Sequence, residues 1–288
     1  MGSCYNGPLK LLHMHLEKRN YFRIRGSFSL KICCLLLFIG GNQVQAQTDK
    51  LNQFWNEYDF TKDLSQKWVL QLDAGLVTSS TPEDSDIFHN ITQFYLRGWA
   101  HYYPSERWKV SVFYAYYSNQ NVPELNQRKA PEFRTAVQAT YSLLKSSPLK
   151  INLRARIEDR HIENDDHYLE AVERFRFQIK AVCPLTTFGL KTKAMYVFAS
   201  DELFFKTKSQ VSGPDLFDRN RASLGLGFTV IENIQIEAAY ANEIMPRDPT
   251  NKMVNAIQLK GIFNNFFPTL IKSFKRKKNA VDQGDGSL

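Results

Sequence analysis

The sequence predicts an all-β chain closed as a transmembrane, antiparallel, up-and-down β-barrel of about 10–12 strands. Three observations predict it. Successive blocks alternate apolar and polar side chains with period two. Short polar connections (64–67, 104–107, 146–148, 231–233) alternate with longer ones (80–88, 120–131, 161–167, 201–217, 246–251), as in barrels with short turns on one membrane side and long loops on the other. Trp68, Tyr102, Trp108, Tyr116, Tyr141 and Tyr240 fall toward the ends of the apolar faces, where interfacial aromatic girdles sit. A soluble sandwich shares the alternation but has no reason to alternate its connection lengths.

In chain order, residues 1–46 read as a signal peptide. Lys10, Lys18, Arg19, Arg23, Arg25 and Lys31 precede the apolar run 32–39, and Val44-Gln45-Ala46 offers a small-residue cleavage site before Gln47. The run is well short of the ~20 residues a spanning helix needs. Met1 or Met14 can serve as the start. Cys4, Cys33 and Cys34 lie in this segment, so Cys183 alone remains and an internal disulfide is excluded.

Residues 47–264 are expected to form the barrel. Alternating segments lie near 54–63, 67–79, 89–103, 107–119, 132–145, 149–160, 168–182, 187–199, 218–230, 234–245 and 252–264. In one, Phe94, Leu96, Gly98, Ala100 and Tyr102 alternate with Gln93, Tyr95, Arg97, Trp99 and His101; in another, Ile151, Leu153, Ala155 and Ile157 alternate with Asn152, Arg154, Arg156 and Glu158. Eleven segments conflict with the even count of bacterial single-chain barrels. Segment 54–63 is therefore expected to be a non-spanning strand or lumen plug, or else the true count is ten or twelve. Residues 265–288 form a basic C-terminal extension, either resting on anionic lipid or disordered.

The chain has a formal charge of +8, a pI near 9.2 and 13% aromatic residues. That combination invites a nucleic-acid reading. The charge is terminal, however: residues 1–46 hold +5 and residues 272–288 hold +3, which leaves the 225 residues between them neutral. A basic nucleic-acid face has no support.

An Arg or Lys facing lipid near mid-membrane costs ~2–4 kcal/mol, so the charged phase must point inward. That places Asp73, Arg97, His101, Arg134, Arg154, Arg156, Glu158, Glu170, Arg174, Arg176, Lys180, Lys191, Lys193, Arg221, Glu237 and Glu243 in one lumen. Glu173 shares its phase with Phe175 and Phe177 and is expected at the long-loop rim or at a bulge. The candidate solute-binding residues are Arg97, Arg134, Arg154, Arg156, Glu158, Arg174, Arg176, Arg221 and Glu237. They form either a paired network that closes and stiffens the barrel or a selective path for a small anion.

No nucleophile elbow, phosphate-cradling Gly loop or H-E-x-x-H motif is present, so no catalytic residue and no cofactor is assigned. His161, Asp165 and His167 have donor types that suit a divalent metal, although a solvated loop has the same composition. A rim enzyme acting on lipid or lipopolysaccharide would require His101 or His161 beside a Ser and a carboxylate.

Several motifs in order resemble a family of Bacteroidota-type outer-membrane barrels known as domain of unknown function 2490. They are Phe54-Trp55; Leu64-Ser65-Gln66-Lys67-Trp68 leading to Leu72-Asp73; Gln93 with Arg97-Gly98; Pro131-Glu132-Phe133-Arg134; Arg174-Phe175-Arg176; and Phe217-Asp218-Arg219-Asn220-Arg221 before Leu224-Gly225. The resemblance spans about 52–264, and the basic tail departs from it. It implies a barrel in the outer membrane and carries over no substrate, activity or site residue. The residues themselves lead to the expectation of a monomer in contact with outer-membrane lipid, with passage of small solutes as its function.

Overall fold

The computed structural model describes residues 48–81, 85–125, 129–144, 148–185, 195–247 and 250–265. Eleven strands close into a barrel: β1 (Thr48–Asp63), β2 (Trp68–Ser79), β3 (Asn90–Tyr102), β4 (Trp108–Asn119), β5 (Ala130–Ser142), β6 (Lys150–Glu163), β7 (Leu169–Pro184), β8 (Met195–Lys206), β9 (Phe217–Ile231), β10 (Ile234–Met245) and β11 (Asn251–Asn264). There is no α-helix among the described residues, only a 3₁₀ turn at Pro123–Leu125.

Sequential strands pair antiparallel, but the closure does not. β1 runs parallel to β11, from Thr48 beside Asn251 to Thr61 beside Asn264. This corrects the parity expectation. Residues 54–63 are neither a plug nor a non-spanning strand, because β1 pairs along its length with both β11 and β2. A parallel seam is what an odd strand number requires, since first and last strands then point the same way. Consequently β1 starts at the long-connection end.

The register sets the tilt. Paired residues followed from Glu57 through β2 to β7 arrive at Glu170. Followed the other way, through β11 to β8, they arrive at Pro184, fourteen residues further along the same strand. That stagger inclines every strand to the barrel axis.

The facing is inverted relative to a soluble barrel. Val112, Val137, Ile157, Leu226 and Ile257 point outward and are each about half exposed, whereas Asp73, Glu132, Glu158, Arg160 and Glu202 point inward and are buried. A lipid-facing barrel needs this arrangement. Ring pairs Trp68–Tyr102 and Trp108–Tyr141, with centroids 4.8 and 4.9 Å apart, flank the short turns as expected of a girdle. Tyr240 differs: it lies at the middle of β10, and its hydroxyl donates to Asn255 Oδ1 at 2.7 Å.

β8, expected at 187–199, includes 195–199 and continues to Lys206, and residues 186–194 lie outside the described residues. The sequence around Asp201-Glu202 reads as loop, but Glu202, Phe204 and Lys206 form an inward phase and Asp201, Leu203 and Phe205 an outer one. Asp201 accepts a hydrogen bond from Asn220 Nδ2 at 2.7 Å. Residues 1–46, Lys191 and Lys193, and the extension from 266 onward lie outside the described residues.

Two inward glycines leave room for rings on neighbouring strands. A Cβ at Gly75 would sit 2.0 Å from the Tyr95 ring, and one at Gly227 would sit 2.0 Å from the Tyr196 ring. Each ring therefore lies flat across its partner strand and carries its hydroxyl to a carboxylate beyond, Glu57 and Glu237 respectively.

Candidate functional site

One wall of the lumen, from β5 to β10 and the connection after β10, is built of arginines that share carboxylates. Glu132 on β5 accepts from Arg134 Nη2 at 2.9 Å and from Arg160 Nε and Nη2 at 2.5 and 3.0 Å. Glu158 on β6 accepts from Arg156 Nη1 (3.0 Å), Arg174 Nε (2.8 Å) and Arg176 Nη1 (2.7 Å). Glu202 on β8 accepts from Arg176 Nε and Nη2 (2.8 and 3.0 Å) and from Arg154 Nη2 (2.5 Å). Alternation explains the assembly: Arg154, Arg156, Glu158 and Arg160 occupy one phase of β6, and Arg174 and Arg176 stand beside them on β7.

A β-bulge completes the wall. Pairing jumps from Phe204–Arg219 to Phe205–Phe217, which leaves Asp218 as an extra residue. Both Asp218 and Arg219 are consequently buried. Asp218 accepts from Arg219 Nε at 3.1 Å and from Arg247 Nη2 at 2.7 Å. Glu243 on β10 accepts from Arg219 Nη1 at 3.0 Å and from Arg221.

Nine arginines thus meet five carboxylates on this wall. Each of the nine has a carboxylate partner, yet among the described residues these arginines outnumber these carboxylates by four. Ions removed from water cost several kcal/mol each, offset only by close pairing and further hydrogen bonds.

The facing wall has the opposite balance. Glu57 accepts from Arg97 Nη2 (2.5 Å) and Lys260 Nζ (2.7 Å), and Lys260 also meets Asp59 at 2.5 Å. Asp73 accepts from Arg97 Nε (3.0 Å) and Trp99 Nε1 (2.7 Å). Three carboxylates therefore meet two cations. Lys260 on β11 ties both acids of β1 across the parallel seam.

Between the walls lies a cavity of about 160 Å³. This is room on the order of ten waters, or one small solute. Arg97, Arg134, Arg174, Arg176, Arg219 and Arg221 line it, against two carboxylates, Glu57 and Glu243. Phe204 is its aromatic floor: the guanidinium carbons of Arg176, Arg221, Arg219 and Arg174 stand 4.4, 5.2, 5.3 and 5.5 Å from its ring centroid. Gln53, Gln93 and Gln258 line it from β1, β3 and β11, and the Trp55 ring of β1 lies 4.9 Å from the Arg221 guanidinium carbon.

Among the residues singled out from sequence, Arg97, Arg134, Arg174, Arg176 and Arg221 line this cavity. Arg154, Arg156 and Glu158 belong to the network but not to the lining. Arg156 instead lies over Trp99 and Phe113, 5.2 and 5.6 Å from their centroids. Glu237 stands apart, accepting from Tyr196 Oη at 2.7 Å with Lys180 4.0 Å away. Sequence reasoning missed Glu132, Arg160 and Arg219, although they share phases with Arg134, Arg156 and Arg221. It missed Glu202 because β8 runs past its expected end at 199, and Asp218 because a bulge breaks the period. Glu57, Asp59 and Lys260 depend on the seam. Glu173 is exposed beside the start of the β8–β9 connection, where its amide donates to Thr207 Oγ1 at 3.1 Å.

The described histidines of the sequence candidates each sit beside polar partners. His101 Nδ1 lies 2.8 Å from Ser111 Oγ and its Nε2 lies 2.9 Å from Gln71 Oε1, so an amide stands where a carboxylate would be needed. His161 meets Asp159 at 3.1 Å and His167 meets Glu163 at 2.5 Å. Among the described residues no three His, Cys, Asp or Glu side chains gather to hold a metal, so His161, Asp165 and His167 are not brought together as one.

A family model described as protein of unknown function (DUF2490) matches residues 52–254. No curated protein matches the chain. Among solved structures, a bacterial polysaccharide outer membrane secretin is 12% identical over 68% of this chain and 63% of its own, with a TM-score of 0.45. The NanC porin is 10% identical over 66% of this chain and 86% of its own, with a TM-score of 0.40. The outer membrane channel DcaP of Acinetobacter baumannii is 14% identical over 71% of this chain and 61% of its own, with a TM-score of 0.36. The match spans less than two thirds of the secretin and DcaP chains.

Proposed function

The chain belongs to the DUF2490 family of proteins of unknown function, and from that premise we propose that it is a porin-like barrel of the outer membrane whose arginine-rich lumen binds and passes small anions. The observation that carries this reading is the excess of arginines over carboxylates around a 160 Å³ cavity. A lumen wall on which cations outnumber carboxylates attracts anions from solution and disfavours cations. The exposed apolar belt supports contact with membrane lipid. The leader-like segment 1–46 and the resemblance to Bacteroidota-type barrels support export in a Gram-negative cell, with the chain acting as a monomer.

A second reading has its own support. Because every arginine of the wall has a carboxylate partner, the network also suits a closed, stiff barrel. Two measurements decide. The chain should stay with the membrane fraction after a carbonate wash, and the purified chain should conduct in planar bilayers. Conductance no greater than background sinks passage and leaves the closed barrel; release by carbonate sinks the membrane location.

A further inference from the structure

We propose that the cavity is a binding site for an anionic, polyhydroxylated solute of monosaccharide size, a sugar acid or sugar phosphate. This deepens the anion reading and rests on it. The two sides of the cavity ask for different chemistry in one ligand. On the β7–β9 side, Arg174 and Arg176 are buried and Arg221 is partly exposed, and all three front the cavity. Planar guanidinium groups in that arrangement suit a carboxylate or phosphate.

The opposite side offers neutral amides with capacity to spare. Gln53 Oε1 accepts from Trp55 Nε1 at 2.7 Å, which leaves the Gln53 amide nitrogen for a ligand. Gln93 Nε2 donates to Asn119 Oδ1 at 2.6 Å, which leaves Gln93 Oε1. Gln258 fronts the cavity with both donor and acceptor available. Glu57, on the same side, is already paired with Arg97 and Lys260 and can still accept from a hydroxyl. An apolar acid is disfavoured, because it would cover these amides without bonding them. What fits is a molecule with one anionic end and a hydroxylated body.

Calorimetry on the full chain in detergent micelles tests this with glucuronate, glucose 6-phosphate, glucose and cyclohexanecarboxylate. The expected result is that at least one charged sugar binds roughly tenfold or more tightly than both glucose and the hydroxyl-free acid, as several added hydrogen bonds allow. The tighter of the two charged sugars identifies carboxylate or phosphate as the anionic group. Gln258→Leu should weaken the charged sugar roughly two- to tenfold and leave cyclohexanecarboxylate unchanged, whereas Arg221→Gln should weaken both. Gln93→Leu repeats the test should Gln258→Leu fail to fold. Cyclohexanecarboxylate binding as tightly as the charged sugars, or no binding by either sugar, overturns the proposal. If bilayers still show anion selectivity in that case, the anion reading survives and only the solute class falls.

Discussion

Arg176 on β7 and Glu202 on β8 face each other through two parallel hydrogen bonds, Nε to Oε1 at 2.8 Å and Nη2 to Oε2 at 3.0 Å. The remaining nitrogen of the same guanidinium reaches Glu158 at 2.7 Å. Arg176 thus joins two carboxylates from different strands, and Glu202 in turn accepts from Arg154 Nη2 at 2.5 Å. Glu202→Leu should leave buried Arg176 and half-buried Arg154 short of a partner and destabilise the barrel by about 3–5 kcal/mol, or less where lumen water reaches them. Urea unfolding in lipid vesicles measures this. The double variant Arg176→Met with Glu202→Leu should lose less than Glu202→Leu alone, since fewer ions remain unmatched.

That pair also marks where sequence reading stops. Facing was legible, because an arginine cannot face lipid cheaply and period two carries that constraint along each strand. Arg97, Arg134, Arg174, Arg176 and Arg221 were placed in the lumen on that ground alone. Glu202 was not, since an Asp-Glu pair following an apolar run resembles a loop start; only pairing with β7 and β9 shows that the strand continues through it. Asp218 lies in the lipid phase by simple alternation, and only a bulge turns it inward. Closure was illegible for another reason. Which way β1 runs beside β11 depends on contacts about two hundred residues apart in sequence.

The seam itself is directly testable. Asn56 on β1 and Leu259 on β11 are paired neighbours in the parallel register. In a Cys183→Ser background, Asn56→Cys and Leu259→Cys should form a disulfide under mild oxidation, whereas Asn56→Cys with Ile234→Cys should not. A plug or non-spanning first segment would give no cross-link in the first pair.

In the β6–β7 connection, the Glu163 carboxylate beside His167 raises the imidazole above its ordinary value, through a hydrogen bond first and charge second. A raised pKa means that the contact favours the folded loop at pH below the ordinary histidine value and loses that effect as pH climbs through the raised one. NMR titration should show the His167 midpoint above that of a free histidine, and Glu163→Gln should lower it. An unchanged midpoint in the variant would remove the pairing from the account.

Excess lumen arginine should make the barrel favour anions, and ion selectivity measures that preference. The purified chain in a planar bilayer under a KCl gradient should give a reversal potential of the sign set by chloride, shifted toward zero by Arg221→Gln. A reversal potential of the sign set by potassium would contradict that preference.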